Sequence, residues 1–165
     1  MQQLEGIHAQ NVTAWFEQNV EGIQPPLDFT LIAGGHSNLT FSVRDSAGAT
    51  YVLRRPPLGH VLESAHDMGR EHKIISALAG SPVPVAATVG LCKDTAVNEA
   101  PFYVMGYVAG PVLHDADAAR SLSENDRREL SLHVIDVLAE LHKIDPDTVG
   151  LGDLGRKEAY LVRQL

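Results

Sequence analysis

Residues 39–55, LTFSVRDSAGATYVLRR, decide the fold of the first part of this chain. Apolar and polar residues alternate over residues 39–44, which is the period of a strand with one buried face. Residues 51–53 begin a second apolar run, and the Asp-Ser-Ala-Gly segment at 45–48 between the two runs has the composition of a tight turn. The stretch therefore predicts an antiparallel hairpin, and Pro56 ends its second strand.

The pattern on either side of the hairpin predicts a mixed order of helices and strands. Helices are expected over residues 8–20, 64–79 and 121–143 and near 156–165, and further strands over 29–33, 86–92 and 102–108. The predicted N-caps of the first three helices are Asn11, Ser64 and Ser121. The chain therefore has an α+β pattern, with a sheet-rich lobe over residues 1–108 and a more helical part over 109–165. The apolar end of the chain at Leu165 favours the front part of a longer protein.

Composition excludes several classes of protein. The chain has 165 residues, 44% of them hydrophobic, which is typical of a globular domain. Thirteen Lys and Arg against 21 Asp and Glu give a formal charge of -8, which argues against broad binding to nucleic acid. Cys92 is the sole cysteine, so no intrachain disulfide is expected. Without a signal peptide or a long apolar run, a cytoplasmic protein that does not bind membranes is the expectation.

A small polar loop is predicted between the first two strands. Glycines let a backbone approach phosphate closely, and their exposed N–H groups form anion-binding nests. The alternative is an ordinary hairpin turn, in which paired glycines are common. A P-loop is excluded because no Gly-Lys-Ser/Thr follows and the next element is a strand. The loop residues are Gly34, Gly35, His36, Ser37 and Asn38.

Glu71 occupies an unusual position, in the middle of an apolar stripe on the second long helix. A carboxylate on a core-facing stripe is costly unless a cation pairs with it. Arg54 and Arg55 end the third strand, and because strand neighbours point to opposite faces, only one of them can reach Glu71. The sequence leaves open which one does. The alternative places Glu71 at a groove edge, either solvated or paired with Lys73 or Arg70 of its own helix. The apolar members of the stripe are Met68, Ile75 and Leu78.

A third candidate is the apolar strand at 102–108, which runs into a connector containing Gly110. Unpaired backbone groups in such a connector can bind the edge of a flat base, although an ordinary core strand and loop have the same pattern. No metal site is predicted from the residues. The regularly spaced histidines at 60, 66 and 72 are about 240° apart on a helix and do not converge.

In their order along the chain, these features resemble the aminoglycoside phosphotransferase-like kinases. The resemblance covers nearly all of the chain. The Arg-Arg-Pro-Pro run at 54–57 and Ser-Ala-His at 64–66 are most similar to the subgroup related to acyl-CoA dehydrogenases. The stretches that carry the resemblance are 34–41, 51–57, 70–73, 83–85, 102–110 and 141–145.

The resemblance implies a protein-kinase-like small lobe, a five-stranded antiparallel sheet with a covering helix, followed by the first helices of a helical large lobe. It also implies that the loop at 34–38 covers the phosphates of ATP. Arg54 stands where the family has its phosphate-binding lysine, and Glu71 is the implied partner of that cation. An arginine retains the positive charge and chelates two oxygens.

The same resemblance implies that backbone groups near Gly106 and Val108 bind adenine, with Met105 beside the base. The implied cofactors are ATP and Mg, and the implied acceptor is the hydroxyl group of a small molecule. The family's catalytic His-Gly-Asp…Asn loop and its Mg-binding Asp are expected beyond Leu165, so the chain alone is expected to be inactive. Two alternatives are a non-catalytic nucleotide-binding or regulatory module, and an unrelated α+β domain in which Glu71 is a surface residue.

Overall fold

The computed structural model describes residues 4–33, 38–59, 66–113, 115–156, 158–159 and 162–163. The strands of this part of the chain are β1 (Asp28–Ala33), β2 (Leu39–Arg44), β3 (Thr50–Arg55), β4 (Thr88–Cys92) and β5 (Phe102–Gly106). The helices are α1 (Ala9–Asn19), α2 (Met68–Leu78), α3 (Thr95–Asn98), α4 (Ala116–Ala119) and α5 (Glu124–Lys143).

The five strands form one sheet in the order β1-β2-β3-β5-β4, and all neighbouring strands are antiparallel. The β2–β3 turn is closed by Asp45, whose buried carboxylate accepts the N–H of Ala49 at 2.8 Å. Gly48 completes the turn with φ +92, a value that favours glycine. The predicted hairpin and the predicted five-stranded antiparallel sheet are confirmed.

One face of the sheet packs with α1 to form the hydrophobic core. The ring of Trp15 lies edge-on to that of Phe102, with centroids 5.1 Å apart. A Cβ atom at Gly90 would come within 3.0 Å of the same indole, so glycine allows the close approach of Trp15 to β4. The buried residues of this core are Ile7, Val12, Phe16, Val20, Leu39, Phe41, Val43, Leu53, Cys92, Phe102 and Val104.

The opposite face of the sheet carries the residues one position away in each strand. The register places Arg54 opposite Tyr103 and Val52 opposite Met105, so these four residues share that face. Helix α2 contributes Glu71 to the same side, through contacts with Arg54 and Tyr103. The predicted stripe on this helix therefore faces inward.

The ends of three helices differ from the prediction. His8, not Asn11, takes the N-cap position of α1, and Asn11 lies inside the helix. Ser123, not Ser121, caps α5, because its hydroxyl accepts the N–H of Asp126. Helix α2 is described from Met68. Its predicted cap, residue 64, lies outside the described residues.

The connection between β4 and β5 also differs from the prediction. Both strands are shorter than expected, and the polar stretch between them contains α3. Asp94 caps this short helix by accepting the N–H of Ala96 at 2.9 Å. Glu99 follows it in the left-handed region, with φ 57.

The chain divides into two compact units, residues 1–76 with 86–108 and residues 77–85 with 109–165. The first unit contains the sheet and the core described above. In the second unit, α5 exposes a row of large apolar side chains. No helix of the described residues is both long and apolar enough to cross a membrane. The exposed apolar residues of α5 are Leu130, Leu132, Val134, Ile135, Leu138 and Leu141.

Candidate functional site

The carboxylate of Glu71 on α2 is the centre of a cluster of side chains from β3, β5 and the residue before β2. Its Oε2 lies 3.0 Å from Nε of Arg54 on β3 and accepts a 3.1 Å hydrogen bond from the hydroxyl of Tyr103 on β5. Its Oε1 accepts a 2.7 Å hydrogen bond from Nδ2 of Asn38, which directly precedes β2. An ionised carboxylate has only acceptor sites, and here it faces three donors.

The structure answers which arginine reaches Glu71. Arg54 does, and the side chain of Arg55 lies on the other face of the sheet. There Arg55 donates to backbone carbonyl oxygens, to that of Gly6 at 2.8 Å and to that of Asn98 at 3.3 Å. The pairing that the inward stripe predicts is thus present, and the Glu71 side chain is 29% exposed.

The contact between Arg54 and Glu71 is an ion pair that leaves the guanidinium partly accessible. The buried Nε of Arg54 makes no hydrogen bond to any described residue, so its 3.0 Å approach to Glu71 is not an aligned hydrogen bond. The Arg54 side chain remains 32% exposed. A guanidinium held in this way fits an anionic group such as a phosphate, which it can chelate with two N–H donors.

Tyr103 stays protonated beside the carboxylate. Burial, together with the negative charge of Glu71, raises the pKa of Tyr103 to about 12, and Arg54 acts in the opposite direction. The ring of His72 lies edge-on to the Tyr103 ring, with centroids 6.1 Å apart. Burial lowers the pKa of His72, which favours its neutral form. Tyr103 is therefore a hydrogen-bond donor to Glu71 over the physiological range.

Asn38 links the cluster to a further residue. Its side-chain Oδ1 lies 2.6 Å from Nδ1 of His66, and the residue is buried. The side chain of Asn38 is directed to Glu71 and His66, and its predicted place in a phosphate-binding loop stays a prediction. The other loop residues lie outside the described residues, and their predicted role stays a prediction. These residues are Gly34, Gly35, His36 and Ser37.

Sequence reasoning missed Tyr103 and His66 as members of the cluster. For Tyr103 a signal existed, because it stands two residues before Met105 in a strand and must share its face. For His66 the only signal was its place near the start of the helix predicted over residues 64–79, which carries Glu71. No spacing rule predicts its contact with Asn38.

The predicted base-binding residues occupy the end of β5 and the segment after it. Met105 is half-buried and lies opposite Val52. The N–H of Gly106 donates to the carbonyl of Ala87 at 2.8 Å, and the binding of adenine by backbone groups near Gly106 and Val108 stays a prediction. Val108 is 72% exposed. Across the described part of the chain, no cluster of three or more His, Cys, Asp or Glu residues could hold a metal ion.

Comparison with known proteins identifies the class of protein that this fold and cluster define. Residues 28–165 match the phosphotransferase enzyme family (APH), and the chain belongs to this family. The chain is 35% identical to a "putative aminoglycoside phosphotransferase" from Ralstonia eutropha JMP134, whose crystal structure superposes with a TM-score of 0.76. The match covers 94% of this chain and 44% of that one. The kinase-like fold is thereby confirmed.

The curated relatives include proteins named as acyl-CoA dehydrogenases. The chain is 33% identical over 140 residues to acyl-CoA dehydrogenase family member 10 of Mus musculus, which covers 85% of this chain and 13% of that protein. It is 31% identical over 161 residues to acyl-CoA dehydrogenase family member 11 of Homo sapiens, covering 95% of this chain and 20% of that protein. The subgroup resemblance is confirmed, and the chain spans no more than about a fifth of these relatives.

Proposed function

We propose that this chain is the ATP-binding N-terminal portion of a phosphotransferase that transfers the γ-phosphoryl group of ATP to the hydroxyl group of a small molecule. The observation that carries the proposal is the ion pair between Arg54 and Glu71, 3.0 Å apart on the sheet face beside Asn38. Family membership supports phosphoryl transfer as the reaction type.

Arg54 binds phosphate oxygens of the nucleotide. Its guanidinium is always charged and presents two parallel N–H donors, which suits a diphosphate or triphosphate better than a single point charge does. Glu71 holds the guanidinium in place. Asn38 donates to one oxygen of that carboxylate and Tyr103 donates to the other, so Glu71 is itself fixed against rotation.

The glycine-rich residues 34–37 cover the phosphates, and the residues after β5 bind the base. Met105 provides an apolar contact, and the exposed segment at Val108 provides backbone donors and acceptors. Gly106, at the end of β5, belongs to the same proposed base-binding segment.

Magnesium is part of the proposal because phosphoryl transfer requires neutralisation of charge on the phosphate oxygens. The family resemblance puts the metal ligands, and the residue that orients the acceptor hydroxyl, beyond Leu165. The residues of this chain bind and orient the nucleotide.

The proposal is tested by titrating metal-free ATP into the chain and into its Arg54→Ala variant. Loss of a charge-assisted phosphate contact is expected to weaken binding about 10- to 100-fold. Arg54→Lys should give an intermediate affinity, because lysine retains the positive charge but lacks the two parallel N–H donors of the guanidinium. The matched control is Arg44→Ala, which removes the same charge from an exposed position on β2. Equal affinity of Arg54→Ala and the unaltered chain, or equal weakening in both alanine variants, would contradict the proposal.

A further inference from the structure

The side chain of Asn38 lies between two groups with different hydrogen-bonding requirements. One end is 2.7 Å from Oε1 of Glu71 and the other is 2.6 Å from Nδ1 of His66. The residue is 7% exposed, so water has little access to either end. The orientation of its amide therefore depends on these two neighbours.

The acceptor character of Glu71 fixes the direction of the whole chain of hydrogen bonds. A carboxylate cannot donate, so the Asn38 atom that faces it is the NH₂ group, and the atom that faces His66 is the carbonyl Oδ1. An amide oxygen only accepts. Nδ1 of His66 must therefore carry a hydrogen and donate it to Asn38.

We propose that His66 is a positioning residue, whose Nδ1–H holds the Asn38 amide so that its NH₂ group faces Glu71. This inference rests on the proposed function, since Glu71 in turn holds the phosphate-binding Arg54. Without His66, rotation of the amide by half a turn brings Oδ1 against the carboxylate of Glu71, and two acceptors then face each other. The Arg54–Glu71 pair loses one of its supports in that state.

The position of His66 just before α2 suits this role. It stands immediately before Asp67, whose side chain accepts the N–H of Arg70 at 2.9 Å and whose carbonyl accepts the N–H of Glu71 at 3.1 Å. These hydrogen bonds at the start of α2 thus fix Asp67, the neighbour of His66, and Glu71 within one helical turn. Asn38 in turn follows the glycine-rich residues 34–37 directly. The contact with His66 therefore connects the end of that segment to α2.

Nuclear magnetic resonance of the ring nitrogens tests the direction of the hydrogen bond. In its neutral form, the His66 ring of the chain should carry its hydrogen on Nδ1, and Asn38→Ala should abolish that preference. The ring of His133 on α5 gives the reference signal for an exposed histidine. A hydrogen on Nε2 alone in the unaltered chain would overturn the proposal.

A double-mutant cycle tests the coupling of the two side chains. His66→Leu and Asn38→Ala should be coupled by about threefold or more in the unfolding equilibrium constant, because the two residues share one hydrogen bond. His66→Asn should restore most of the loss, since its amide offers an N–H donor near the position of Nδ1. Additive effects of the two substitutions would overturn the proposal.

ATP affinity separates this inference from the proposed function. His66→Leu is expected to weaken binding about three- to tenfold, and His66→Asn about twofold or less. The control variant His133→Leu should bind as the unaltered chain does. If that chain fails to bind ATP, the proposed function is wrong, while the tautomer and the cycle still decide whether His66 orders Asn38. If ATP binds but His66→Leu equals His133→Leu, the positioning role is wrong and the proposed function stands.

Discussion

The two faces of the sheet use adjacent arginines of β3 in opposite ways. Arg55 is 4% exposed and donates to backbone carbonyl oxygens. Arg54 is about one-third exposed and is held by the side chain of Glu71. A guanidinium bonded to several fixed carbonyls has few N–H donors left for a ligand. A guanidinium held by one carboxylate keeps its other N–H donors accessible. The difference separates a structural arginine from one suited to bind an anion.

The Arg55 side of the sheet is a closed network that ties the N-terminal segment to α3. The fully buried side chain of Asn98 accepts the N–H of His8 at 2.8 Å and donates to the carbonyl of Gly6 at 3.2 Å. Burial lowers the pKa of the Arg55 guanidinium, and the charge of Glu99 partly offsets that effect. The carbonyls that Arg55 binds belong to Gly6, Pro56 and Asn98.

The largest expected effect is that of Arg55→Met on stability. The substitution removes the Arg55 donor from the carbonyls of Pro56 and Asn98, while that of Gly6 keeps Asn98 as a donor. We expect it to lower the free energy of unfolding by about 3 kcal/mol. Arg54→Met should cost about 1 kcal/mol or less, because its ion pair is partly exposed to solvent. Chemical denaturation followed by circular dichroism measures both. Equal losses of stability in the two variants would contradict the division between the faces.

The alternation of apolar and polar residues was enough to predict the hairpin but not to assign its faces. Val52 with Arg54 and Leu53 with Arg55 form two phases of the same pattern, each with one apolar residue and one arginine. Alternation with a period of two is therefore equally consistent with either face of β3 packing against the core. The choice is made by partners distant in sequence, and for Arg54 that partner lies on α2.

Other parts of the site were missed for equally physical reasons. Tyr103 lies in an apolar strand whose sequence is typical of a hydrophobic core. Glu71, which accepts the hydrogen bond from its hydroxyl, is 32 residues away in the sequence. The N–H of Gly106 bonds to Ala87, next to a register shift between Thr88 and Gly90 that no local pattern indicates. Helix α3 has only four residues, too few for a periodic signal. The resemblance to a family, by contrast, depended on the order of motifs and survived these errors.

An intermediate effect is expected for Glu71→Gln, which removes the negative charge that pairs with Arg54. The carboxylate faces three donors, whereas a glutamine amide presents one oxygen and one NH₂ group, so at least one donor is left facing another donor. We expect a loss of about 1–2 kcal/mol in unfolding free energy and about tenfold weaker ATP binding.

The matched control for this variant is Glu99→Gln. It removes the same charge from the Arg55 side of the sheet, where the Glu99 side chain is 74% exposed and lies 3.2 Å from Nε2 of His8. It should change stability by less than about 0.5 kcal/mol and leave ATP binding unaltered. A loss of ATP affinity in Glu99→Gln equal to that in Glu71→Gln would mean that net charge, and not the Arg54–Glu71 cluster, determines the affinity.

The smallest expected effect is that of Tyr103→Phe, which removes one donor from Glu71 and keeps the ring. The cost at neutral pH should be about 1 kcal/mol. Because the pKa of Tyr103 is raised from its ordinary value of 10 to about 12, the unfolded chain releases this proton at lower pH than the folded chain does. The advantage of the unaltered chain over Tyr103→Phe is therefore complete below pH 10 and declines as the pH rises towards 12. Denaturation of both proteins across that range measures the decline, and tyrosine absorbance should lose its latest ionisation step in the variant. A constant difference in stability up to pH 12 would mean that burial and the charge of Glu71 do not raise the pKa of Tyr103 in the folded chain.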